Sequence, residues 1–497
     1  MTAAAPPLSE PVLILGGGLM GLAVAHQLAR RGVAVLVLSR RRSEAAGFVA
    51  AGMLAPHAEG IGGALLALGQ ASLERIPAWV AEIEADSDLS CGLRPCGIVV
   101  PFSTATERDA YPTAAWGMAL ERTALEREIP GIGPRWRAGL LFKQDGQIDN
   151  RRRLMRALER ACVQRGVRFE EGSEVLELIT ASGGTAAAAA ATAAAEPEPT
   201  SPAGATAAAP GASVAKPATA PAPRAAAPGA ALARPAPTPA PDRDRLHQPF
   251  AGSACAQGKD SPTGLAPESP GAAGTPPTGR PAATGAADPR AVAGPANQGP
   301  EPGTAPPARP PRLQAVRLRR ADGRELVLPC QTAVLAGGAW SARLMPQLPV
   351  VPVKGQMLSL QGPIGALPRV VFGPGTYLVP REDGLLVVGA TSEAEAGFAE
   401  GLTPCGQRQL EQGIAALLPA ASGWPPMERW WGFRPCTPDE GPLLGPGPIS
   451  GLWLATGHHR NGVLLAALSA ELLARGISGE ASPGDGEHLE AFRWDRF

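Results

Sequence analysis

Three glycines near the start of the chain have the spacing of a phosphate-binding turn. Gly16, Gly18 and Gly21 form the pattern GxGxxG directly after the apolar residues 12–15. Glycines at these positions permit a tight turn, close approach of the backbone to a pyrophosphate, and close packing of the next helix on the strand. Free N–H groups and the dipole at the start of that helix favour negative charge. The pattern therefore predicts a bound dinucleotide.

A serine and three arginines stand where such units usually carry an acidic residue. The apolar residues 33–38 predict a second parallel strand, and Ser39, Arg40, Arg41 and Arg42 follow it. A carboxylate at this tip would bind ribose hydroxyls, whereas a basic cluster suits the 2′-phosphate of NADP or forms a solvated turn. The residues alone leave these two readings of the cluster open.

Length and charge limit the number of domains and the kinds of partner that this protein can have. The chain has 497 residues, enough for two or three domains, and its 45 basic and 45 acidic side chains cancel. Balanced charge gives no reason to expect nucleic acid or an acidic membrane surface as a partner. The apolar stretch 12–29 follows Glu10 and contains His26 and Gln27, which argues against a signal peptide or a membrane span.

Cysteine usage indicates a reducing compartment. The seven cysteines are scattered and include no CxxC pair, so neither a disulfide framework nor a zinc site is expected. These features predict a cytoplasmic protein.

A long segment of biased composition interrupts the chain. Residues 181–311 are almost wholly Ala, Pro, Gly, Thr and Ser, which predicts a disordered insert, with an interdomain linker as the alternative. Residues 167–179 before it read as a strand, and residues 313–329 after it read as a hairpin turning at Asp322 and Gly323. The insert is therefore expected to loop out of a small sheet and to be removable without loss of the fold.

Further motifs resemble one enzyme family over nearly the whole chain outside the insert. The sequence is similar to the FAD-dependent amino acid oxidases, most of all to the glycine oxidases of thiamine biosynthesis. The stretches that carry this resemblance, besides the glycine pattern, are AAGMLAPHAE (50–59), DGQIDNRRRLM (145–155), PVKGQMLSL (352–360), YLVPREDGLLVVGAT (377–391), WWGFRPCTPDEGPLLG (430–445) and LWLATGHHRNGVLLAALSAELLA (452–474). The pair RPxTPD and GHxRNGxLL is far more specific than the glycine pattern.

The resemblance implies an α/β fold with two interwoven domains. A Rossmann-like FAD-binding domain would gather residues 8–80, 145–180, 312–345 and 428–497. A substrate domain of α+β type, built on an antiparallel sheet, would take residues 85–144 and 346–427. The substrate would lie between them, over the flavin.

The resemblance also implies which residues contact FAD. The expected contacts are Gly16, Gly18, Gly21, Ser39, Arg40, Ala51, Gly52, Met53, Val175, Gly457, His458, His459, Arg460, Asn461, Gly462, Val463 and Leu464. Ser39 supplies one hydroxyl in place of the usual carboxylate. Sarcosine oxidases attach FAD through a cysteine near the TPD stretch, but Cys436 does not match that spacing, so non-covalent FAD is expected. A metal site at His458 and His459 is disfavoured because adjacent histidines point apart.

The implied reaction is oxidation of glycine. By resemblance Arg434 binds the substrate carboxylate, Tyr377 bonds the same group, and Arg460 and Met53 complete the active site. A planar guanidinium is the best two-pronged partner for a carboxylate. The products would be an imine, hydrolysed to glyoxylate, and H2O2 from O2, with the imine feeding thiamine thiazole synthesis.

Two substrate alternatives and two partners remain at this stage. Sarcosine or a small D-amino acid could be oxidised instead, by an oxidase or a dehydrogenase, and a non-catalytic flavoprotein scaffold is the rival from another class. Gly375 and Ser392 differ from related glycine oxidases and are expected to alter the pocket wall. A homo-oligomer and a thiazole synthase partner are also expected.

Overall fold

The glycine-rich turn joins a buried strand to a helix, as its pattern predicts. The computed structural model describes residues 10–181 and 310–497. Strand β1 (Val12–Leu15) leads into helix α1 (Leu19–Arg30), and strand β2 (Val35–Ser39) follows. Gly32 adopts a φ of +74°, the left-handed conformation that ends helices, and turns the chain into β2. This unit confirms the predicted Rossmann-like start of the fold.

The remaining strands and helices follow along the chain. The further strands are β3 (Met53–Leu54), β4 (Leu93–Arg94), β5 (Ile98–Phe102), β6 (Met118–Glu121), β7 (Ala138–Phe142), β8 (Gly146–Ile148), β9 (Arg168–Glu171), β10 (Glu174–Ala181), β11 (Arg312–Arg319), β12 (Glu325–Pro329), β13 (Ala333–Leu335), β14 (Val351–Gln361), β15 (Val370–Gly373), β16 (Thr376–Pro380), β17 (Leu385–Gly389), β18 (Pro426–Cys436), β19 (Leu443–Pro446) and β20 (Leu452–Thr456). The further helices are α2 (Gly63–Ser87), α3 (Ala105–Asp109), α4 (Arg122–Glu128), α5 (Met155–Gln164), α6 (Ser341–Leu344), α7 (Pro404–Leu417), α8 (Gly462–Ser478) and α9 (Pro483–Glu490).

A six-stranded sheet carries the glycine-rich turn. Its order is β19-β20-β13-β1-β2-β9, and every pairing except that of β19 with β20 is parallel. Helices α1, α2, α5 and α8 pack together on it through fully buried side chains such as Leu22, Leu68, Trp79, Leu158 and Leu465. Strand β1 pairs with β2 on one side and with β13 on the other. The connections that leave these strands run in opposite directions, so a crevice opens at the carboxyl end of β1.

An eight-stranded sheet forms the second large layer. Its order is β18-β14-β17-β16-β15-β5-β7-β6, with only the β15–β5 pairing parallel. Helix α7 covers one face, where Ile414 and Leu417 join Leu358 and Leu378 in a buried cluster. Parallel and antiparallel sheets in one chain confirm the predicted mixed fold class. The division into two domains stays a prediction, and its boundary at residue 428 falls inside β18.

A three-stranded antiparallel sheet borders the insert. Strands β11 and β12 form the predicted hairpin, with Arg319 opposite Glu325 and Gly323 at a φ of +83°. Strand β10 pairs with β11 so that Ala181 lies opposite Arg312. The chain therefore leaves and re-enters one small sheet at neighbouring positions. Residues 182–309 of the predicted insert lie outside the described residues.

The helices and the cysteines of the described residues bear on two predictions made from the sequence. Within residues 10–181 and 310–497, no helix is both long enough and apolar enough to cross a bilayer. Cys91, Cys96, Cys162, Cys330 and Cys436 carry free thiols, whereas Cys405 is disulfide-bonded.

Candidate active site

One cavity of about 610 Å³ connects the glycine-rich turn to the eight-stranded sheet. One end is formed by the residues that follow β1, β2, β13 and β20, where the carboxyl ends of the parallel strands meet. The other end is formed by β14, β16 and β18. Its volume is that of a typical cofactor or ligand pocket. Its elongated course suits a molecule with two separate halves.

The glycine-rich turn can adopt its backbone conformation only because Gly16 and Gly21 lack side chains. At Gly16, with a φ of +126°, a Cβ would lie 2.3 Å from the carbonyl oxygen of Ala336. At Gly21 a Cβ would lie 1.8 Å from the carbonyl oxygen of Gly16. Gly18 precedes α1, and no side chain caps the free N–H groups of its first turn. The residues present thus fit a pyrophosphate at this helix start.

The basic cluster after β2 is paired with carboxylates. Arg40 lies 2.8 Å and Arg41 2.5 Å from Glu44, and Arg42 contacts Glu159 and Glu171 at 2.8 and 2.9 Å. These ion pairs neutralise the charge that a 2′-phosphate would need, which favours a solvated basic turn over an NADP site. The buried Ser39 lines the cavity beside this turn.

Most of the predicted cofactor residues line the same cavity. Those that do are Gly16, Gly18, Ser39, Arg40, Ala51, Gly52, Met53, Val175, His458, His459, Arg460, Gly462 and Val463. Gly21, Gly457, Asn461 and Leu464 are not part of its wall. Gly21 instead allows α1 to pack on the turn, as its spacing predicts. Assignment of these residues to FAD remains a prediction.

The turn at Ala51 and Gly52 is held by a residue that sequence reasoning missed. At Gly52, with a φ of +83°, a Cβ would lie 2.0 Å from the carbonyl oxygen of Ile148, so only glycine fits. Arg381 is 6% exposed and donates from Nη2 to the carbonyl oxygen of Ala51 at 2.5 Å. The residue stands in the stretch beginning at Tyr377, but only the fold shows which backbone it holds.

Arg434 presents its guanidinium to the cavity from β18. Its Nη1 donates to the carbonyl oxygen of Thr391 at 3.1 Å. The planar group lies over Gly355 of the neighbouring strand β14, where a Cβ would come within 2.3 Å of Nη1. No salt bridge joins Arg434 to a carboxylate in the described part of the chain. A planar guanidinium that has no salt bridge to a carboxylate among the described residues is suited to bind the carboxylate of a ligand.

Tyr377 lies beside Arg434 at the start of β16. Its ring covers Gly389, the residue opposite it on β17, where a Cβ would lie 2.4 Å from the ring. Burial raises the pKa of the Tyr377 phenol, while the charge of Arg434 opposes that rise. The hydroxyl is therefore a neutral hydrogen-bond donor at physiological pH, aimed into the same space as the guanidinium.

Arg460 faces the same space from the loop after β20, and it has a partner that was not predicted. Its Nε lies 2.7 Å from the carboxylate of Glu59, whose side chain is 5% exposed. Both residues line the cavity. Glu59 is the last residue of the quoted stretch AAGMLAPHAE, so the family resemblance included it, but nothing in the local pattern marks it as buried.

The two carboxyl-terminal motifs meet at the cavity. The backbone N–H of His459 donates to the carbonyl oxygen of Pro435 at 2.8 Å, joining the GHHRNG loop to β18. Burial lowers the pKa of His458 to about 3, so this imidazole stays neutral. Burial raises the pKa of Cys436 to about 11, which keeps its thiol protonated and a poor nucleophile.

One expectation about the cavity wall is wrong. Gly375 forms the two-residue turn between β15 and β16, with a φ of +70°, and does not line the cavity. A glycine there serves the left-handed turn rather than pocket size. Ser392 does line the cavity, as expected.

Comparisons with known proteins agree with this geometry. Residues 11–256 and 310–475 match the family described as FAD dependent oxidoreductase. The chain is 31% identical over 474 residues to the bifunctional protein ThiO/ThiG of Synechocystis sp., covering 94% of this chain and 51% of that protein. It is 44% identical over 151 residues to a glycine oxidase of Pseudomonas aeruginosa, covering 29% of this chain and 41% of the other. The chain thus spans about half the length of these curated relatives.

Solved structures share the fold. The crystal structure of glycine oxidase from Geobacillus kaustophilus has a TM-score of 0.66 at 21% identity, with 98% of each chain covered. That of iminodiacetate oxidase from Chelativorans sp. BNC1 has a TM-score of 0.64 at 18% identity, covering 97% and 98%. Because the family match takes in both the glycine-rich turn and the strand of Arg434, the chain belongs to the FAD dependent oxidoreductase family.

Proposed function

We propose that the protein is an FAD-dependent glycine oxidase that converts glycine to an imine, hydrolysed to glyoxylate, with O2 reduced to H2O2. The observation that carries this proposal is the position of Arg434 and Tyr377 in the cavity that begins at the glycine-rich turn. A carboxylate clamp and a nucleotide cradle at opposite ends of one cavity fit an amino acid bound next to a flavin. The names of the curated relatives support the same activity.

The residues of the chain bind and orient the substrate. Arg434 takes the carboxylate with two N–H groups, and the Tyr377 hydroxyl donates a further hydrogen bond to it. Bound FAD supplies the two-electron acceptor for the α-carbon and the route to O2. Fixing the carboxylate sets the direction of the α-carbon, which is how positioning lowers the barrier without a side-chain base.

We further propose that FAD is held without a covalent bond. Gly16 and Gly18 would receive its pyrophosphate, and Ser39 would meet the ribose. The protonated thiol of Cys436 supports non-covalent binding, because a thiolate is the form that attacks a flavin.

The proposed pathway role is to supply the imine for thiamine thiazole synthesis, in the cytoplasm. The fusion named in the relatives as ThiO/ThiG supports a thiazole synthase as the partner that consumes the product. An imine hydrolyses in water, so delivery to a bound neighbour would protect it.

The test is anaerobic reduction of the purified flavoprotein. Glycine should bleach the flavin absorption band of the wild type, and Arg434→Ala should lose most of this response at low glycine. The matched control is Arg429→Ala on the same strand, whose partner is the exposed Glu411. Its bleaching should equal that of the wild type.

The same experiment separates the alternatives. If sarcosine or D-alanine bleaches the flavin faster than glycine does, that amine is the preferred substrate. Bleaching without O2 consumption would indicate a dehydrogenase. A flavin that stays oxidised with all three would overturn the proposal in favour of a non-catalytic scaffold.

A further inference from the structure

Glu59 is a carboxylate buried among the groups that would bind substrate. It lines the cavity together with Arg434, Tyr377 and Arg460. Its carboxylate lies 2.7 Å from Nε of Arg460, and its side chain is 5% exposed. A second acid, Glu440, also faces Arg460, but at 3.7 Å and with 46% of its side chain exposed, where solvent screens the attraction.

The backbone that carries Glu59 is fixed by contacts on several sides. Asp145 accepts hydrogen bonds from the backbone N–H of His57 at 3.2 Å and of Ala58 at 2.8 Å, and lies 2.6 Å from Nδ1 of His57. Tyr111 donates its hydroxyl to the carbonyl oxygen of Ala58 at 2.7 Å, and Thr113 donates to that of His57 at 2.6 Å.

These contacts come from elements far away in the sequence. They hold both residues immediately before Glu59 and so fix the point at which its side chain leaves the backbone. A side chain whose backbone is held by several supporting contacts is typical of a group that acts on a ligand.

The charges at this end of the cavity can be counted. Two guanidinium groups, those of Arg434 and Arg460, face one buried carboxylate. Because Glu59 contacts Arg460, the positive charge available to a ligand is that of Arg434. Among the described residues at this end of the cavity, Arg434 is the guanidinium without a salt bridge to a carboxylate, which matches a substrate with one carboxylate. A second anionic group on the substrate would compete with Glu59 for Arg460.

We propose that Glu59 is a specificity-determining residue that restricts the site to amines with a single carboxylate by neutralising Arg460. This inference rests on the proposed function, because it assumes that Arg434 receives the substrate carboxylate. Without the charge of Glu59, the site would lack the buried counter-charge of Arg460. It would then accept a dicarboxylic amine such as iminodiacetate, which is glycine with a second carboxymethyl group on nitrogen.

The experiment uses the FAD-loaded protein and two anions that lack an oxidisable amine. Glycolate carries one carboxylate and diglycolate carries two, and both are titrated while the flavin spectrum reports binding. We expect Glu59→Gln to strengthen diglycolate binding relative to glycolate by about tenfold or more, the range found for close charge pairs. The control is Glu411→Gln, a surface acid paired with Arg429, which should leave the ratio unchanged.

Turnover gives a second readout. The ratio of kcat/KM for iminodiacetate to that for glycine should rise in Glu59→Gln by a similar factor, and Glu59→Asp should restore the wild-type preference in part. An unchanged ratio, or equal weakening of both anions, would overturn the proposal and leave Glu59 a structural residue. If no amine reduces the flavin, the proposed function fails, but the anion titrations still report on Glu59.

The wild type provides a test that needs no variant. Burial raises the pKa of Glu59, while Arg460 and Arg434 lower it and Asp145 and Glu440 raise it further. A carboxyl with a raised pKa loses its charge as the pH falls through that value, which removes the buried counter-charge of Arg460. The affinity ratio of diglycolate to glycolate should therefore rise as pH falls, and this rise should be absent in Glu59→Gln. A ratio that does not change with pH would count against the proposal.

Discussion

The guanidinium of Arg434 rests on the backbone of Gly355, so close that a methyl group at Gly355 would lie 2.3 Å from Nη1. Strands β14 and β18 are paired there, with Val353 opposite Arg434 and Gly355 opposite Gly432. The missing side chain on β14 therefore gives the guanidinium a flat surface on one side and leaves its other side open to the cavity. The proposed carboxylate clamp therefore depends on Gly355 as well as on Arg434.

Substitution of Gly355 should test this arrangement. Gly355→Ala should displace the guanidinium of Arg434, because the new methyl group would overlap its Nη1, Nη2 and Cζ atoms. The KM for glycine should therefore rise by about tenfold or more. Gly355 does not have a positive φ, so the fold should tolerate alanine. Steady-state kinetics with glycine measure the effect. Gly423→Ala, where an added Cβ meets nothing within 4 Å, is the control and should not alter KM.

Removal of the Tyr377 hydroxyl should weaken substrate binding by one hydrogen bond. A hydrogen bond to a charged group contributes about 1.5–3 kcal/mol, so Tyr377→Phe should lower kcat/KM for glycine by about tenfold or more. The ring still covers Gly389, so FAD content should stay at the wild-type level. Kinetic constants equal to those of the wild type would show that the hydroxyl does not touch the carboxylate.

Acid treatment should release the flavin. Because burial raises the pKa of Cys436 to about 11, its thiol stays protonated, which supports the proposed non-covalent binding of FAD. Precipitation with trichloroacetic acid should leave the yellow colour in the supernatant, and absorbance of the two fractions measures this. A flavin that stays in the protein pellet would contradict non-covalent binding. Cys436→Ser should behave like the wild type.

Excision of residues 182–309 should preserve the fold. Ala181 and Arg312 are opposite each other in the β10–β11 pairing, so a short turn can replace everything between them. We expect a thermal midpoint within a few degrees of the full chain and the same rate of glycine oxidation. Loss of the flavin on excision would show that the segment stabilises the cofactor site.

The local parts of the site follow from the sequence, whereas the paired charges do not. The spacing of Gly16, Gly18 and Gly21 predicts the strand, turn and helix because these contacts lie within a few residues. The partners of Arg42, Glu159 and Glu171, are more than a hundred residues away, and only the pairing of β2 with β9 brings Glu171 close. A run of arginines therefore looks like a phosphate site until the fold supplies the acids.

Two residues show what local sequence cannot predict: Glu59 lies in the cavity without a local signal, and Gly375 lies outside it although it was expected in its wall. The backbone just before Glu59 is held by Tyr111, Thr113 and Asp145, which its own segment does not specify. Gly375 stands close to Tyr377 in sequence, but the tight turn directs it away from the cavity. Residue-by-residue comparison finds which positions differ, and the backbone decides which of them the substrate meets.

The order of strands in the six-stranded sheet fixes when a growing chain can bind flavin. Strand β1 is completed by β13, and β13 by β20, while the loop and helix after β20 supply His458, Arg460 and Gly462 to the cavity. A ribosome must therefore translate past Gly462 before the nucleotide cradle made near residue 16 is closed. Until then the first strand and helix expose apolar faces that later residues cover. We therefore expect chaperones that shelter nascent chains to raise the yield of active protein.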